Sequence, residues 1–183
     1  LLEICKDNGM SLKIMAEQIV IFDDEKYEAQ EPIITVYKPG VKAELDDKTM
    51  PLRWLTSYTM RAKTRDTYGS CHVKYQKGKK KEVIEGAFTI PGKEKGRVLF
   101  VREQVEDTAE AERLAKKKLR EANKEEVTGS FATIGNTNFA AGTTLLLKNF
   151  GKFDGKYLVT KVSHSVTTSY TTSVDIRRCL DGY

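Results

Sequence analysis

Histidine and cysteine are scarce in this 183-residue chain: there are two histidines, His72 and His164, and three cysteines, Cys5, Cys71 and Cys179. Two histidines leave little room for histidine-based catalysis. Cysteines that are odd in number and far apart argue against a disulfide framework. With no Cys-x-x-Cys and no histidine pair at i,i+4, the usual zinc spacings are missing too. Reduced thiols in a protein made in the cytoplasm are the expectation. No apolar run approaches the roughly 20 residues that cross a bilayer, and no Asp/Asn-rich calcium loop occurs. The stretch 135–142 holds too few glycines for a phosphate cradle, lacks Gly-Lys-Ser/Thr, and leads into strand-like residues instead of a helix. A Ser163, His164, Asp175 triad fails on geometry, because neighbours in a strand point to opposite faces. The acids sit in loops and on a helix face, which gives no buried carboxylate pair for glycoside hydrolysis. The expectation is therefore no enzyme, no cofactor and no metal.

What remains is a chain with 39% apolar and 31% charged residues, enough for one buried core or for a core domain with a smaller lobe. Its net charge of +5 is unevenly spread. Residues 1–50 carry 6 Lys/Arg against 11 Asp/Glu, whereas residues 51–183 carry 25 against 15. The step suggests two lobes. The positive charge follows a helix face and a loop instead of interleaving with aromatics, which favours a solvated surface or an acidic protein partner over nucleic acid. The chain starts at Leu1 with helix-like residues and no basic, apolar, cleavable leader, so it reads as a piece of something longer with no signal peptide.

In chain order, Leu1, Ile4 and Cys5 share a helical face that Asn8-Gly9 would stop. Ser11–Met15 and Gln18–Phe22 read as short strands, and Asp23–Gln30 is acidic and indistinct. Pro32–Tyr37 is β-prone before a Pro39-Gly40 turn, and Lys42–Thr49 reads as a surface loop. This makes a small α/β lobe over 1–50, with a barrel domain over 51–183. Leu52–Lys63 reads as one strand, with Trp54 expected in the core. Tyr68–Tyr75 and Glu82–Ile90 form a hairpin over about 68–90, joined by a basic loop with Gly78 at its tip, and Arg97–Val101 adds a strand. The helix from about 108 to 124 is the clearest element. Asp107 and Glu110 make a capping-box pattern, and Ala111, Leu114, Ala115, Lys118, Leu119 and Ala122 form a small-sided stripe that should lie close against a sheet. Thr128–Ile134, Thr143–Leu147, Lys156–Thr168 and Thr171–Arg178 then read as successive antiparallel strands. The fold class is α+β, mainly β: an antiparallel barrel with one packed amphipathic helix.

The C-terminal half also carries an ordered set of motifs. AEAERLAKKKLREA forms the helix, a β segment ends near Ile134-Gly135, and Ala140-Ala141-Gly142 enters the strand TTLLLKN. Then comes FDGKYLVTKVSHSVTTSYTTSVDIRR. Over residues 97–180 this resembles the phage late-control-D-type proteins, the baseplate hub proteins of contractile tails, which are similar to the hub part of type VI secretion spikes and of R-type bacteriocins. The matching residues are Ala109, Ala111, Ala115, Gly142, Asp154, Gly155, Tyr157, Val159, Val162, His164, Tyr170 and Thr171. Ser169 stands where glycine is commoner. A looser likeness to the middle lobe covers LLEICKDNGMSLKI.

The resemblance implies a non-enzymatic hub barrel. In the full-length protein it would form a homotrimer whose two barrels per subunit make a pseudo-sixfold torus, between tail tube and spike proteins as partners, incorporated into a virion or particle baseplate after synthesis in a bacterial cytoplasm. Asp154-Gly155 would make a tight hairpin turn. Tyr157, Val162 and His164 would fix register and packing, with His164 a bonded core or interface histidine. Gly142 and Tyr170 would be structural as well. A nucleic-acid-binding β-barrel and a cell-wall hydrolase of a tail tip are the alternatives.

Overall fold

The long helix shows how local sequence sets the architecture. It runs Thr108–Asn123. The Asp107 carboxylate accepts the Glu110 N–H at 2.7 Å, satisfying one of the donors that a helix start leaves open. Glu110 reaches back one residue further than a capping box would, accepting the Glu106 N–H at 2.6 Å. Ala111, Ala115 and Leu119 are buried and Leu114 and Lys118 half-buried, but Ala122 is exposed, while Arg120 and Asn123 are buried. The stripe therefore turns by one position over its last turn.

The structure, a computed structural model, describes residues 4–5, 10–14, 18–41, 49–77 and 82–183. The expected stop at Asn8-Gly9, the loop over 42–48 and the tip at Gly78 lie outside these residues. Two compact units emerge, each assembled from separated stretches. One comprises Leu1–Asp23, Thr64–Lys124 and Leu180–Tyr183, and the other Asp24–Lys63 and Glu125–Cys179. The boundary expected at residue 50 is not where the units part, because the strand near 34–37 pairs with a strand over 144–148, and the strand near 50–52 pairs with that near 34–37, so both join the C-terminal sheet.

In the first unit, β1 (Met10–Ile14) and β2 (Ile19–Asp23) form an antiparallel hairpin. A three-stranded sheet has β6 (Ser70–Lys77) at its centre, antiparallel to β7 (Glu82–Thr89) and parallel to β8 (Val98–Val101). The long helix covers one face of this sheet through Cys71, Val73, Ala111, Ala115 and Leu119. Gly86 permits the close approach that the alanine stripe implies, since a Cβ there would lie 2.5 Å from the Glu112 nitrogen and 2.6 Å from the Ala111 Cβ. Asn123 fastens the helix end. Its amide accepts from the Tyr68 N–H at 2.9 Å and donates to the Tyr68 carbonyl at 2.7 Å and to the Tyr183 hydroxyl at 2.6 Å.

The second unit is a seven-stranded, curled half-barrel sheet in the order β4-β3-β10-β11-β12-β9-β5. Its strands are β3 (Ile34–Tyr37), β4 (Met50–Leu52), β5 (Ser57–Ala62), β9 (Val127–Ile134), β10 (Thr144–Lys148), β11 (Gly155–Val166) and β12 (Tyr170–Arg178). The fold is mainly β with one long helix, as the sequence reading expects, but two features differ. Among the described residues no pairing joins β4 to β5, and β3 pairs in parallel with both β10 and β4. Parallel partners need long connections and leave no local signature. The stretch 52–63 is not one strand either: β4 ends at Leu52 and β5 begins at Ser57.

The core of this unit gathers Ile34, Val36, Phe131, Phe139, Leu145, Leu147, Tyr157, Val159, Val174 and Ile176. Each large side chain buried there contributes about 1.5–3 kcal/mol of transfer free energy. Trp54, expected in this core, is 77% exposed. The acidic stretch over 23–30 is not indistinct but contains a short helix, Asp24–Ala29, carrying two buried acids, Asp24 and Glu28. Arg177 answers both, reaching Glu28 Oε1 at 2.5 Å and Asp24 Oδ2 at 3.3 Å.

Candidate assembly surface

The β11–β12 pair does not close a barrel but lies in the middle of the sheet. β12 is flanked by β11 and β9, and β9 by β5, so that β5, β9, β12 and β11 form a four-stranded antiparallel block. β10 covers β11 only from Gly155 to Leu158, and the residues just before β10 add two further bonds, from the Val159 N–H to the Thr143 carbonyl and from the Gly142 N–H to the Val159 carbonyl. A register shift between Val159 and Lys161 then turns β11 away. Beyond it, among the described residues, Lys161–Val166 pairs with β12 alone, and β5 ends the sheet on the far side. The block thus presents two open strand edges, a feature that invites pairing with another chain.

The two faces of the block differ. Toward the core lie Phe131, Val174, Ile176 and Val159; the opposite face carries Ser57, Thr59, Arg61, Thr128, Ser130, Ser163, Ser173 and Asp175. On that polar face a groove of about 340 Å³ is lined by residues including Thr59, Arg61, Thr128, Ser130, Asp175 and Arg177. Hydroxyls and charges of both signs make it a solvated concavity. Among the described residues no three His, Cys, Asp or Glu side chains gather as a metal site, and no helix is long and apolar enough to cross a membrane.

The motif residues fall into two groups. The first organises the turn between β10 and β11. Here the sharp bends fall at Asn149 (φ 69°) and Gly151 (φ 69°), with a 3-10 turn at Gly151–Phe153, so Asp154-Gly155 is not the hairpin tip. Asp154 instead accepts the Phe150 N–H at 2.6 Å, and Gly155 (φ 136°) already pairs with Leu147. The buried Tyr157 hydroxyl donates to the Phe153 carbonyl at 2.8 Å and accepts from Arg178 at 3.2 Å. Burial pushes the Tyr157 phenol up, a shift that the Arg178 guanidinium over its ring partly offsets. Gly142 (φ 91°) donates to the Val159 carbonyl at 2.8 Å and has the Tyr27 ring where a side chain would go.

The second group lies near the β11–β12 tip. His164 is exposed, not in the core, because β10 stops before reaching this part of β11. Its Nδ1 lies 3.0 Å from the Tyr170 hydroxyl and 3.1 Å from Thr172 Oγ1, and Thr172 Oγ1 in turn accepts the Asn136 N–H at 2.9 Å. The Tyr170 ring covers Gly135, where a Cβ would come within 1.9 Å of the ring. Val162 is half-buried against the core. Ser163 pairs with Ser173 and His164 with Thr172, so the two neighbours face opposite sides of the sheet. Two residues of this surface were not legible as such. Trp54 and Val166 look like core residues by composition, yet stand 77% and 76% exposed. The lengths could have signalled it, since a β11 of 12 residues beside a β10 of 5 leaves most of β11 with an uncovered edge.

The fold is that of phage tail proteins. A tail protein from Neisseria meningitidis MC58 superposes with a TM-score of 0.66 at 14% identity, covering 100% of this chain and 54% of its own. The 43 kDa tail protein of prophage MuSo2 from Shewanella oneidensis gives 0.63 at 13% identity, covering 94% of this chain and 52% of its own. The chain therefore spans about half the length of these solved structures. No protein-family model and no curated protein matches the sequence.

Proposed function

We propose that this chain is a structural part of the baseplate hub of a phage tail or related contractile injection particle, joining the tail tube to the central spike without catalysis. The observation that carries the reading is the pair of open edges on one block of four strands. With an even number of antiparallel strands, β5 and the free part of β11 run in opposite directions. Subunits related by rotation about one axis can then add β5 of one beside β11 of the next and keep every pairing antiparallel. Contacts of that heterologous kind close into rings where the rotation between neighbours divides a full turn. The likeness to tail proteins supports the same reading through the fold.

A chain extended to the length of the solved tail proteins is expected to form a homotrimer, measured by size-exclusion chromatography with light scattering. A strict monomer at high micromolar concentration would overturn the proposal.

A further inference from the structure

The strand β8 has the sequence of a covered strand and the position of an edge. Its four residues, Val98, Leu99, Phe100 and Val101, are all apolar, without the alternation of a strand that keeps one face in water. Such runs belong to strands buried on both faces of a parallel sheet. β8 is indeed parallel to β6, yet it ends its sheet, and among the described residues no strand pairs with its far side. Leu99 and Val101 lean on the helix-covered core but stay only half-buried, and on the other face Val98 is 37% and Phe100 74% exposed. The opposite end of the sheet is built differently. There β7 interrupts its apolar residues with Glu85, which pairs with Lys74 of β6, a charge of the kind that guards a free edge. β8 has no such guard between its ends.

We propose that β8 is a docking edge for an extended segment of a partner protein, four apolar residues bracketed by acidic ones, which joins the sheet as a further strand. The bracket follows from charge. Arg97 and Arg102 stand one residue beyond each end of β8, and both are exposed. Neighbouring acids do not cancel them: Asp66 lies 3.9 Å from Arg97 in an exposed contact that contributes little, and Glu103 is held by Lys118 at 2.7 Å. A strand laid in register beside β8 sets its flanking residues opposite these arginines, where carboxylates attract and lysines repel. Because both ends carry the same charge, the match holds for a parallel or an antiparallel strand. Main-chain bonds to β8 supply the affinity. On one face the segment continues the core at Leu99 and Val101, and on the other it covers Phe100, whose ring stands 5.8 Å from that of His72 between centroids. Within this chain β2 comes nearest to the pattern, with Ile19–Phe22 before Asp23, but Gln18 stands where the first acid belongs and β2 is already held in the β1 hairpin. The site belongs to the first unit, whereas the ring reading rests on edges of the second.

The probe is a short fluorescent peptide with four β-branched residues between glutamates, titrated by anisotropy and followed by hydrogen exchange; a second peptide has lysines in place of the glutamates. The glutamate peptide should bind, slow exchange over residues 98–101, and bind about tenfold tighter than the lysine peptide, the effect of turning two repulsive cross-strand pairs into attractive ones. Arg102→Glu, at an exposed site and with circular dichroism to confirm the fold, leaves each peptide one attractive and one repulsive pair, so the two should bind equally. No binding of either peptide, equal binding of both to the parent chain, or protection confined to residues outside 98–101 would overturn the proposal. Protection of 98–101 that grows with protein concentration alone would also overturn it, since a second copy would then hold the edge.

Discussion

Replacing Arg177 by methionine tests how the half-barrel sheet holds its short helix. Arg177 is 4% exposed and lies against Asp24 and Glu28, themselves 3% and 7% exposed. Methionine has nearly the right volume but no charge, so the substitution removes the cation that answers two buried carboxylates. Breaking a buried pair by removing one partner costs about 3–5 kcal/mol, because the remaining charge has lost both water and its counter-ion. Native domains are stable by only about 5–15 kcal/mol, so such a loss is a large fraction of the total. At about 2–4 °C per kcal/mol for a chain of this size, the melting temperature should fall by roughly 6–20 °C. Thermal melts by circular dichroism measure it. The double variant Arg177→Met/Glu28→Leu discriminates the cause: if uncompensated charge is what destabilises, the second substitution returns part of the loss. A single variant that melts within 2 °C of the parent would refute the reasoning, as would a double variant whose two losses simply add.

Gly135→Ala should destabilise by about 1–3 kcal/mol in urea unfolding, because a Cβ there would meet the Tyr170 ring; Tyr170→Ala in the same chain should recover most of it. Asp107→Ala removes the bond to the Glu110 N–H and should cost about 1 kcal/mol by the same assay. Burial raises the Cys71 thiol to about 11 from 9.0, with Lys118 lowering and Glu103 raising it in smaller measure. The folded state thus favours the neutral thiol. That contribution is complete below pH 9.0 and is lost as pH rises toward 11, so the urea midpoint of the parent should fall over this window more than that of Cys71→Val. His164→Ala, at an exposed and hydrogen-bonded site, should lower stability by less than about 1 kcal/mol.

Elements with strong local signals were readable from sequence, and those that depend on distant partners were not. The long helix announced itself through Asp107, Glu110 and its alanine stripe, and even its close seat on a sheet followed from small side chains. The short helix Asp24–Ala29 did not, because it is 6 residues long and its acids read as solvated when their partner, Arg177, is 149 positions from Glu28. The parallel pairings of β3 have no turn to reveal them. Trp54 illustrates a different limit. Hydrophobicity marks a residue that water disfavours, without saying whether its cover comes from its own chain. At the assembly surface, the order of Gly142, Tyr157, His164 and Tyr170 was visible, whereas the open edges depend on where β10 stops.

The irregularity between Val159 and Lys161 has a consequence for insertions and deletions. Before it, odd-numbered residues of β11, Tyr157 and Val159, face the core; after it, even-numbered Val162 does. One extra residue therefore works as a change of phase. Deleting Thr160 would restore strict alternation with every facing unchanged, Lys161 still opposite Asp175 and Val162 still opposite Val174, and would remove only the bulge. A one-codon deletion of Thr160, whose side chain is exposed, should be tolerated far better than deletion of a paired residue such as Ser163, which would turn over the residues that follow. At this position, unlike its paired neighbours, one residue of chain length can be lost without changing what faces the core.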